Sequence, residues 1–453
     1  MINDLLNFLK NKKIMILGFG VEGKSTYSFI RKYFPNIPLV ISYSSKDFEN
    51  EQEYLYKDKN LKFYTGKDYL KEIENFDIIL KSPGVSFKGI DTSKFINKVT
   101  SQLELFLEYI DCYTIGITGT KGKSTTSSLI YEMLIQQNKK AILLGNIGIP
   151  IFDHIEEVTN DMIVVIEMSS HGLEYIKKSP NISILLNIYE EHLDHYESLE
   201  KYIEAKFNIF KYQKDNDICI YNSDNELMNK YNYNYKKNSF SITMTQDDSK
   251  SIYLLKEKVY YKGECIYNSN DTRNLKGKHN LNDIMFVLAV SIILKLDLAK
   301  TIKTINQFKT LEHRMEFVGN YDGVDYYNDS IATIPESTIN CIEALEKVNT
   351  IILGGNDRGI DLTGFINYLN NTKIENIICL PKTGEYIYNG LNKENRNVIL
   401  VKNLEEAVMY AKKLTKKGMI CVLSPAASSY GYFKNFKERG EKFKELVRKK
   451  NIK

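Results

Sequence analysis

The residues best suited to chemistry in this chain form the run Gly116-Ile-Thr-Gly119-Thr120-Lys121-Gly122-Lys123-Ser124-Thr125, which follows an apolar strand and opens a helix. Backbone N–H groups of Gly119 to Gly122 and of the helix start at Ser124 and Thr125 can cradle the β- and γ-phosphates of a nucleotide. Lys123 can neutralise their charge and the Ser124 hydroxyl can reach a Mg²⁺ ion. The run departs from the usual GxxxxGK[ST] loop, because the first glycine would fall at Ile117. A plain glycine-rich turn with an exposed lysine is the alternative reading.

A bound metal also needs acids at neighbouring strand ends. Glu167 ends the apolar run Met162 to Met168 and is a ligand candidate, although a carboxylate there can equally cap a helix. Glu190-Glu-His192-Leu-Asp-His195-Tyr196 follows the next apolar run, and its imidazoles are either ligands or a solvated polar loop. Lys206, in the helical run Tyr202 to Phe207, reads by pattern as a surface cation. Gly18, Gly20 and Gly23 spell GxGxxG after the strand Lys13 to Leu17, a weak dinucleotide fingerprint. The acid expected some 20 residues on is absent, since Ser42-Tyr-Ser-Ser45 stands there, so NAD is disfavoured and the turn is open to another nucleotide's diphosphate.

The elements that must hold these residues are short Ile- and Val-rich runs alternating with amphipathic segments, the pattern of parallel α/β layers. Strands are expected at Lys13–Leu17, Pro38–Ser42 and Phe76–Leu80; at Tyr113–Thr118, Met162–Met168 and Ile182–Ile188; and at Thr350–Leu353, Asn376–Leu380 and Met419–Leu423. The polar stretch from Asp215 to Lys276 reads as an appended antiparallel patch. At 453 residues the chain is long enough for about three domains, and the stretches divide at 1–101, 102–310 and 311–453. A formal charge of +4, from 61 basic and 57 acidic residues, excludes a nucleic-acid stripe. No run is long enough to span a bilayer, and Met1 to Lys13 lacks the features of a signal peptide, so the cytoplasm is expected. The six cysteines contain no CxxC pair and read as reduced core residues.

These motifs occur with others in a fixed order: Ser82-Pro-Gly84, Gly145-Asn146-Ile-Gly148, Glu167-Met-Ser169-Ser170, Ala205-Lys206, Gly277-Lys-His-Asn280, His313-Arg314, Asn328-Asp329-Ser330, and Ser424 to Ser429 followed by Phe433 to Phe436. In that set the chain resembles the Mur ligases over essentially its whole length, and among them the branch that adds glutamate to UDP-N-acetylmuramoyl-alanine. The resemblance implies an α/β chain of three domains: a Rossmann-like N-terminal domain for the UDP substrate, a central P-loop ATPase with a mostly parallel sheet, and a Rossmann-like C-terminal domain for the amino acid.

It further implies ATP, two Mg²⁺ ions, UDP-N-acetylmuramoyl-L-alanine and glutamate as partners of a monomer, with the D form of glutamate favoured and the L form or a folylpolyglutamate-synthase-like activity as alternatives. By that resemblance Ser124 and Glu167 hold the first metal, and His192 and a carbamylated Lys206 the second. Lys123, Asn280, Arg314 and Asp329 meet ATP. Gly18, Gly20, Gly23, Ser82, Asn146 and Ser169 meet the UDP substrate. Thr333, Arg358, Ser429 and Phe436 meet glutamate. Many family members carry lysines where Arg358 and Ile331 stand, an asparagine at Asp283, and an acid near Ser42.

Overall fold

A computed structural model describes the chain apart from residues 1, 45–54, 56, 146–149, 192–194, 232–237, 271–272, 276, 310–311, 346, 357–361, 430 and 450–453, and the side chain of Glu336. The described residues form the expected α/β protein, with sheets of five, nine and six strands. Contacts divide the chain into two compact units, residues 1–272 with 282–306, and residues 273–281 with 307–453. The first unit contains the five- and nine-stranded sheets, and the second contains the six-stranded sheet.

The five-stranded sheet is parallel, in the order Leu61–Thr65, Leu39–Tyr43, Ile14–Leu17, Ile78–Lys81, Val99–Thr100. Every residue of Ile14–Leu17 and of Ile78–Lys81 is buried, because α-helices cover one face of the sheet and apolar residues of loops and short turns, Ile73, Phe87 and Phe95 among them, cover the other. The chain leaves the central strand to one side and later returns to the other. That reversal opens a crevice at the carboxyl ends of these two strands, where ligands of open α/β sheets bind.

In the nine-stranded sheet Tyr113–Thr118 lies between Ile163–Glu167 and Ile182–Leu185, all parallel. The polar stretch beyond residue 215 continues this sheet. Its first strands, Ile218–Asn222, Ser239–Thr243 and Ile252–Leu255, pair in parallel, so the antiparallel patch is smaller than expected. It comprises only the meander from Ile252–Leu255 through Lys258–Tyr261 to Glu264–Asn268. Helix Lys123–Gln136 packs on the sheet through Ser124 to Ile130, a run of small and apolar side chains that allows close approach.

The six-stranded sheet runs Glu316–Tyr321, Val324–Asn328, Ile420–Leu423, Val348–Gly355, Asn376–Lys382, Asn397–Leu400, and is parallel beyond its first, antiparallel pair. That pair is a hairpin closed by Asp322 and Gly323, both at positive φ, as a two-residue turn requires. Four cysteines, at 219, 341, 379 and 421, are buried free thiols, whereas Cys265 is exposed. No described helix is long and apolar enough to cross a membrane.

The three glycines after the first strand are not equivalent. Gly18 has φ +89°, and a Cβ there would meet Val85 and Ser82 at under 3 Å; one at Gly23 would lie 2.2 Å from Gly18 O. At Gly20 nothing lies within 4 Å, which leaves its backbone open to a ligand. Gly23→Ala should therefore destabilise the first unit by roughly 1–3 kcal/mol, from forced overpacking. Gly20→Ala should cost less, up to about 1 kcal/mol, because it meets no clash and loses only the advantage of glycine over alanine at a helix N-cap. Urea unfolding of the two variants measures the contrast, and equal losses would contradict the geometry.

Candidate active site

The loop after Tyr113–Thr118 is held by groups at the end of the neighbouring strand. Asn187 accepts from Thr120 N through its carbonyl (3.0 Å) and from Lys121 N through Oδ1 (2.8 Å), and its Nδ2 donates to Lys121 O (3.1 Å). Thr120 Oγ1 lies 2.8 Å from the buried Tyr202 hydroxyl. Neither Asn187 nor Tyr202 was singled out from sequence, although an asparagine closing an apolar run beside a phosphate loop is a usable signal. Gly122, at φ +85°, packs against the Asp283 carboxylate, which a Cβ would approach to 2.4 Å.

Lys123 opens the helix, and its Nζ donates to Gly119 O and Thr120 O, both at 2.9 Å. Ser124 Oγ donates to Glu167 Oε1 at 2.9 Å, and both residues are buried, Ser124 in the first turn of the helix and Glu167 at the end of strand Ile163–Glu167. Lys121 Nζ pairs with Glu191 Oε1 at 2.6 Å.

Lys206 overturns its pattern-based reading as a surface cation. It is 2% exposed in helix Leu199–Lys211, and its Nζ donates to the same Gly119 carbonyl at 2.9 Å and faces the Tyr202 ring 5.0 Å away. Burial, with Lys123 and Lys121 nearby, outweighs the opposing charge of Glu191 and pulls its pKa well below the usual lysine range.

In the first sheet's crevice, Ser82 Oγ donates to Gly18 O at 3.0 Å beside the open face of Gly20. Ser42 is fully buried, with its hydroxyl engaged by Tyr69 O. Ser169 Oγ caps the short helix Ser170–Leu173 by accepting from Gly172 N. A further group went unseen in the sequence. Lys81, 3% exposed, lies 3.6 Å from Glu174 Oε2, which is 3.2 Å from His195 Nε2, and the Ser86 hydroxyl donates to His195 O at 2.6 Å. This cluster ties the loop after Ile78–Lys81 to the segment following Ile182–Leu185. Glu22, in the same region, is pushed up to about 7 by burial, against the pull of Lys81.

In the second unit Asn280 is buried, and His279 is drawn down to about 4 by burial and by the Arg314 charge. Asp329 accepts from Ser424 Oγ (2.7 Å) and from Met315 N (3.1 Å). Ser330 Oγ donates to Phe436 O at 2.8 Å, and the buried Arg439 guanidinium joins Ser330 to Ala427 O. Thr333 is half-buried near this junction, Ser429 is buried, and Phe436 stands edge-on to His313. Asn146, His192 and Arg358 lie outside the described residues.

Residues 117–291 match the model of the Mur ligase middle domain, and residues 313–427 that of the Mur ligase glutamate ligase domain. The chain is 34% identical to the UDP-N-acetylmuramoylalanine--D-glutamate ligase of Clostridium acetobutylicum and 31% identical to that of Clostridium novyi, with 98% of each chain covered. Among solved structures, MurF of Thermotoga maritima in complex with ADP is similar with TM-score 0.60 and 16% identity, covering 91% of this chain and 94% of that one. UDP-N-acetylmuramate-alanine ligase MurC of the same organism gives TM-score 0.59 and 17% identity, covering 96% and 99%.

The fold and the phosphate loop are those of an ATP-dependent ligase, and the chain belongs to the Mur ligase family. Within it, the clostridial relatives compared above, matched over nearly their whole length, are UDP-N-acetylmuramoylalanine--D-glutamate ligases.

Asp329 supplies a test of the second unit's electrostatics. Burial raises its pKa to about 6, outweighing its hydrogen bonds and the Arg314 charge. A raised carboxyl pKa stabilises the fold below the unfolded value near 4, and that contribution is lost as pH rises through 6. Between pH 4 and pH 8 the stability of Asp329→Asn relative to the parent should move in the variant's favour by on the order of 2–3 kcal/mol. Urea midpoints at the two pH values measure it, and a pH-independent difference would place the pKa back at its ordinary value.

Proposed function

We propose that this protein is an ADP-forming amide ligase that joins D-glutamate to UDP-N-acetylmuramoyl-L-alanine in peptidoglycan precursor synthesis. The observation that carries the chemistry is the convergence of the Lys123 and Lys206 amines on Gly119 O beside the Ser124–Glu167 pair. In such a reaction the alanyl carboxylate attacks the γ-phosphorus of ATP, giving an acyl phosphate and ADP. The glutamate amine then adds to the acyl carbon, and phosphate leaves from the tetrahedral intermediate. Two anions must meet in the first step, so fixed positive charge at the loop lowers its barrier.

The Ser124 hydroxyl and Glu167 carboxylate are the hard oxygen ligands that Mg²⁺ favours. A bound Mg²⁺ would offset the phosphate charge there. The lowered pKa of the buried Lys206 favours the neutral amine that adds to CO₂ with release of a proton, and the resulting carbamate would turn a cation into a bidentate anion suited to a second ion, with His192 as its neighbour in the ligand set. Lys123 holds the phosphates, and Asn280, Arg314 and Asp329 are assigned to the nucleotide. The glycine turn, Ser82, Asn146 and Ser169 are assigned to the UDP substrate, and Thr333, Arg358, Ser429 and Phe436 to glutamate.

We assign residues 1–101, 102–310 and 311–453 to the UDP, ATP and amino-acid domains of a cytoplasmic monomer. The buried Ser42 hydroxyl supports uracil recognition by something other than a side chain at that position. Ile331 and Arg358, where many family members have lysines, keep L-glutamate as an arm of the test.

ADP release with UDP-N-acetylmuramoyl-L-alanine should depend on D-glutamate, and preference for the L form would overturn the configuration. Lys123→Ala should lower the rate by on the order of 10² to 10³, the loss typical of one transition-state donor. ¹³C-labelled bicarbonate should give a carbamate carbonyl signal in the parent that Lys206→Ala lacks, with activity of that variant partly restored by acetate. A fully active Lys206→Ala protein would end the carbamate assignment.

A further inference from the structure

Lys382 has a backbone that residues with a side chain rarely adopt, with φ 61° and ψ −104°. Glu72, also at positive φ, sits in the ordinary left-handed basin with ψ 18°, which makes Lys382 the more strained of the two. Such strain persists only where the surrounding structure imposes it, and it concentrates at ligand sites. Glycine would relieve it without cost in side-chain packing, since Lys382 is exposed.

The position explains what the strained residue reaches. Lys382 ends strand Asn376–Lys382 and pairs in register with Gly355 at the end of Val348–Gly355. Asn356 N donates to Ser428 O at 2.8 Å, so the loops after Val348–Gly355 and Ile420–Leu423 are joined here. Lys382 Nζ donates to Asn356 Oδ1 at 2.9 Å and lies 5.5 Å from the Tyr432 ring centroid. A Cβ on Gly431 would sit 3.8 Å from both Lys382 Nζ and Asn356 Oδ1. The ammonium therefore stands at the carboxyl ends of adjacent parallel strands, close to Gly431 and linked through Asn356 to the segment of Ser428. That edge of an open α/β sheet is where ligands bind.

Next in the chain, Thr383 is 4% exposed, and its Oγ1 has no hydrogen-bond partner among the described residues. It also opens helix Thr383–Gly390, whose first N–H groups favour an anion. An exposed ammonium, an unused buried hydroxyl and a helix start thus follow one another at this strand end, the kinds of group that receive a carboxylate.

We propose that Lys382 is a specificity-determining residue, contacting the carboxylate of incoming glutamate that is remote from the reacting amine. The inference rests on the reading of this unit as the glutamate-binding one. It answers a chemical need of that reading: glutamate brings two carboxylates, and isoleucine at 331 can balance neither. The amine end must be presented outward to the acyl phosphate, so the remote carboxylate is the one held among these loops.

Lys382→Ala and Lys382→Gly are compared with the parent by calorimetric binding of D-glutamate, with a non-hydrolysable ATP analogue present, and by ADP release. Both variants should weaken glutamate binding and raise its KM by about tenfold or more, as expected for loss of a charge-assisted hydrogen bond. The KM values for ATP and the UDP substrate should stay within about twofold, and kcat/KM for D-glutamine, a neutral near-isostere, should not change, so selectivity at the side-chain carboxylate collapses. Lys382→Gly should in addition melt higher than Lys382→Ala, because glycine adopts this conformation freely.

Unaltered glutamate binding in Lys382→Gly, or equal losses for glutamate and glutamine, overturns the proposal. Binding by the parent without ADP release, with the variants still defective, sustains Lys382 as a glutamate contact and ends the ligase reading instead. A parent that neither binds nor turns over glutamate overturns both.

Discussion

Two lysine amines, from Lys123 and Lys206, hydrogen-bond to one carbonyl oxygen, that of Gly119. Two positive charges so placed, on a buried Lys206 and a half-buried Lys123, would repel each other, and an anion brought beside them relieves that repulsion. Much of the central sheet can be understood as meeting that constraint. Asn187 and Tyr202 fix the loop so that the carbonyl points at both amines. Helix Leu199–Lys211, capped by Ser198, buries Tyr202, Ile203, Phe207 and Phe210, and that apolar burial offsets the desolvation of the lysine among them. The resulting site is poorly matched to its own charges and well matched to phosphate.

The phosphate loop and the strands around it were legible because each signal was local: an apolar run, a glycine turn, then a helix start. Lys206 was not, since a lone lysine is read as solvent-facing by default. The counter-signal was present in the spacing, because Tyr202, Ile203, Phe207 and Phe210 recur at three and four residues and leave Lys206 on their face. The hairpin at Asp322-Gly323 also had a readable signature that was passed over, an Asp-Gly pair between alternating residues. The pairing of Ile218–Asn222 with Ile182–Leu185 had none, since a parallel partner is chosen by tertiary contacts and polar composition suggested a meander instead.

Tight and open positions alternate in the glycine turn at the first sheet, and the same division of labour recurs at the other sheets. Gly18 and Gly23 are required by backbone packing, whereas Gly20 leaves room. In the second sheet a Cβ at Gly119 would sit 2.9 Å from Leu186 and one at Gly122 2.4 Å from Asp283, so the loop is shaped from behind by packed groups. In the third, Gly355 is pressed against Ser428 O and the Arg439 guanidinium. Each turn is thus set by contacts on its protein side, and its other face is left for a ligand.

The first unit is discontinuous: it takes up residues 282–306 after the chain has already entered the second. Those residues include the stretch Ile284 to Val290, which is wholly buried. During synthesis, a chain that has emerged only as far as residue 272 lacks part of its own interior and exposes the apolar surface that this segment will cover. The first unit cannot finish folding as a nascent N-terminal piece, so a truncated product ending near residue 272 would be prone to aggregation and degradation in the cell.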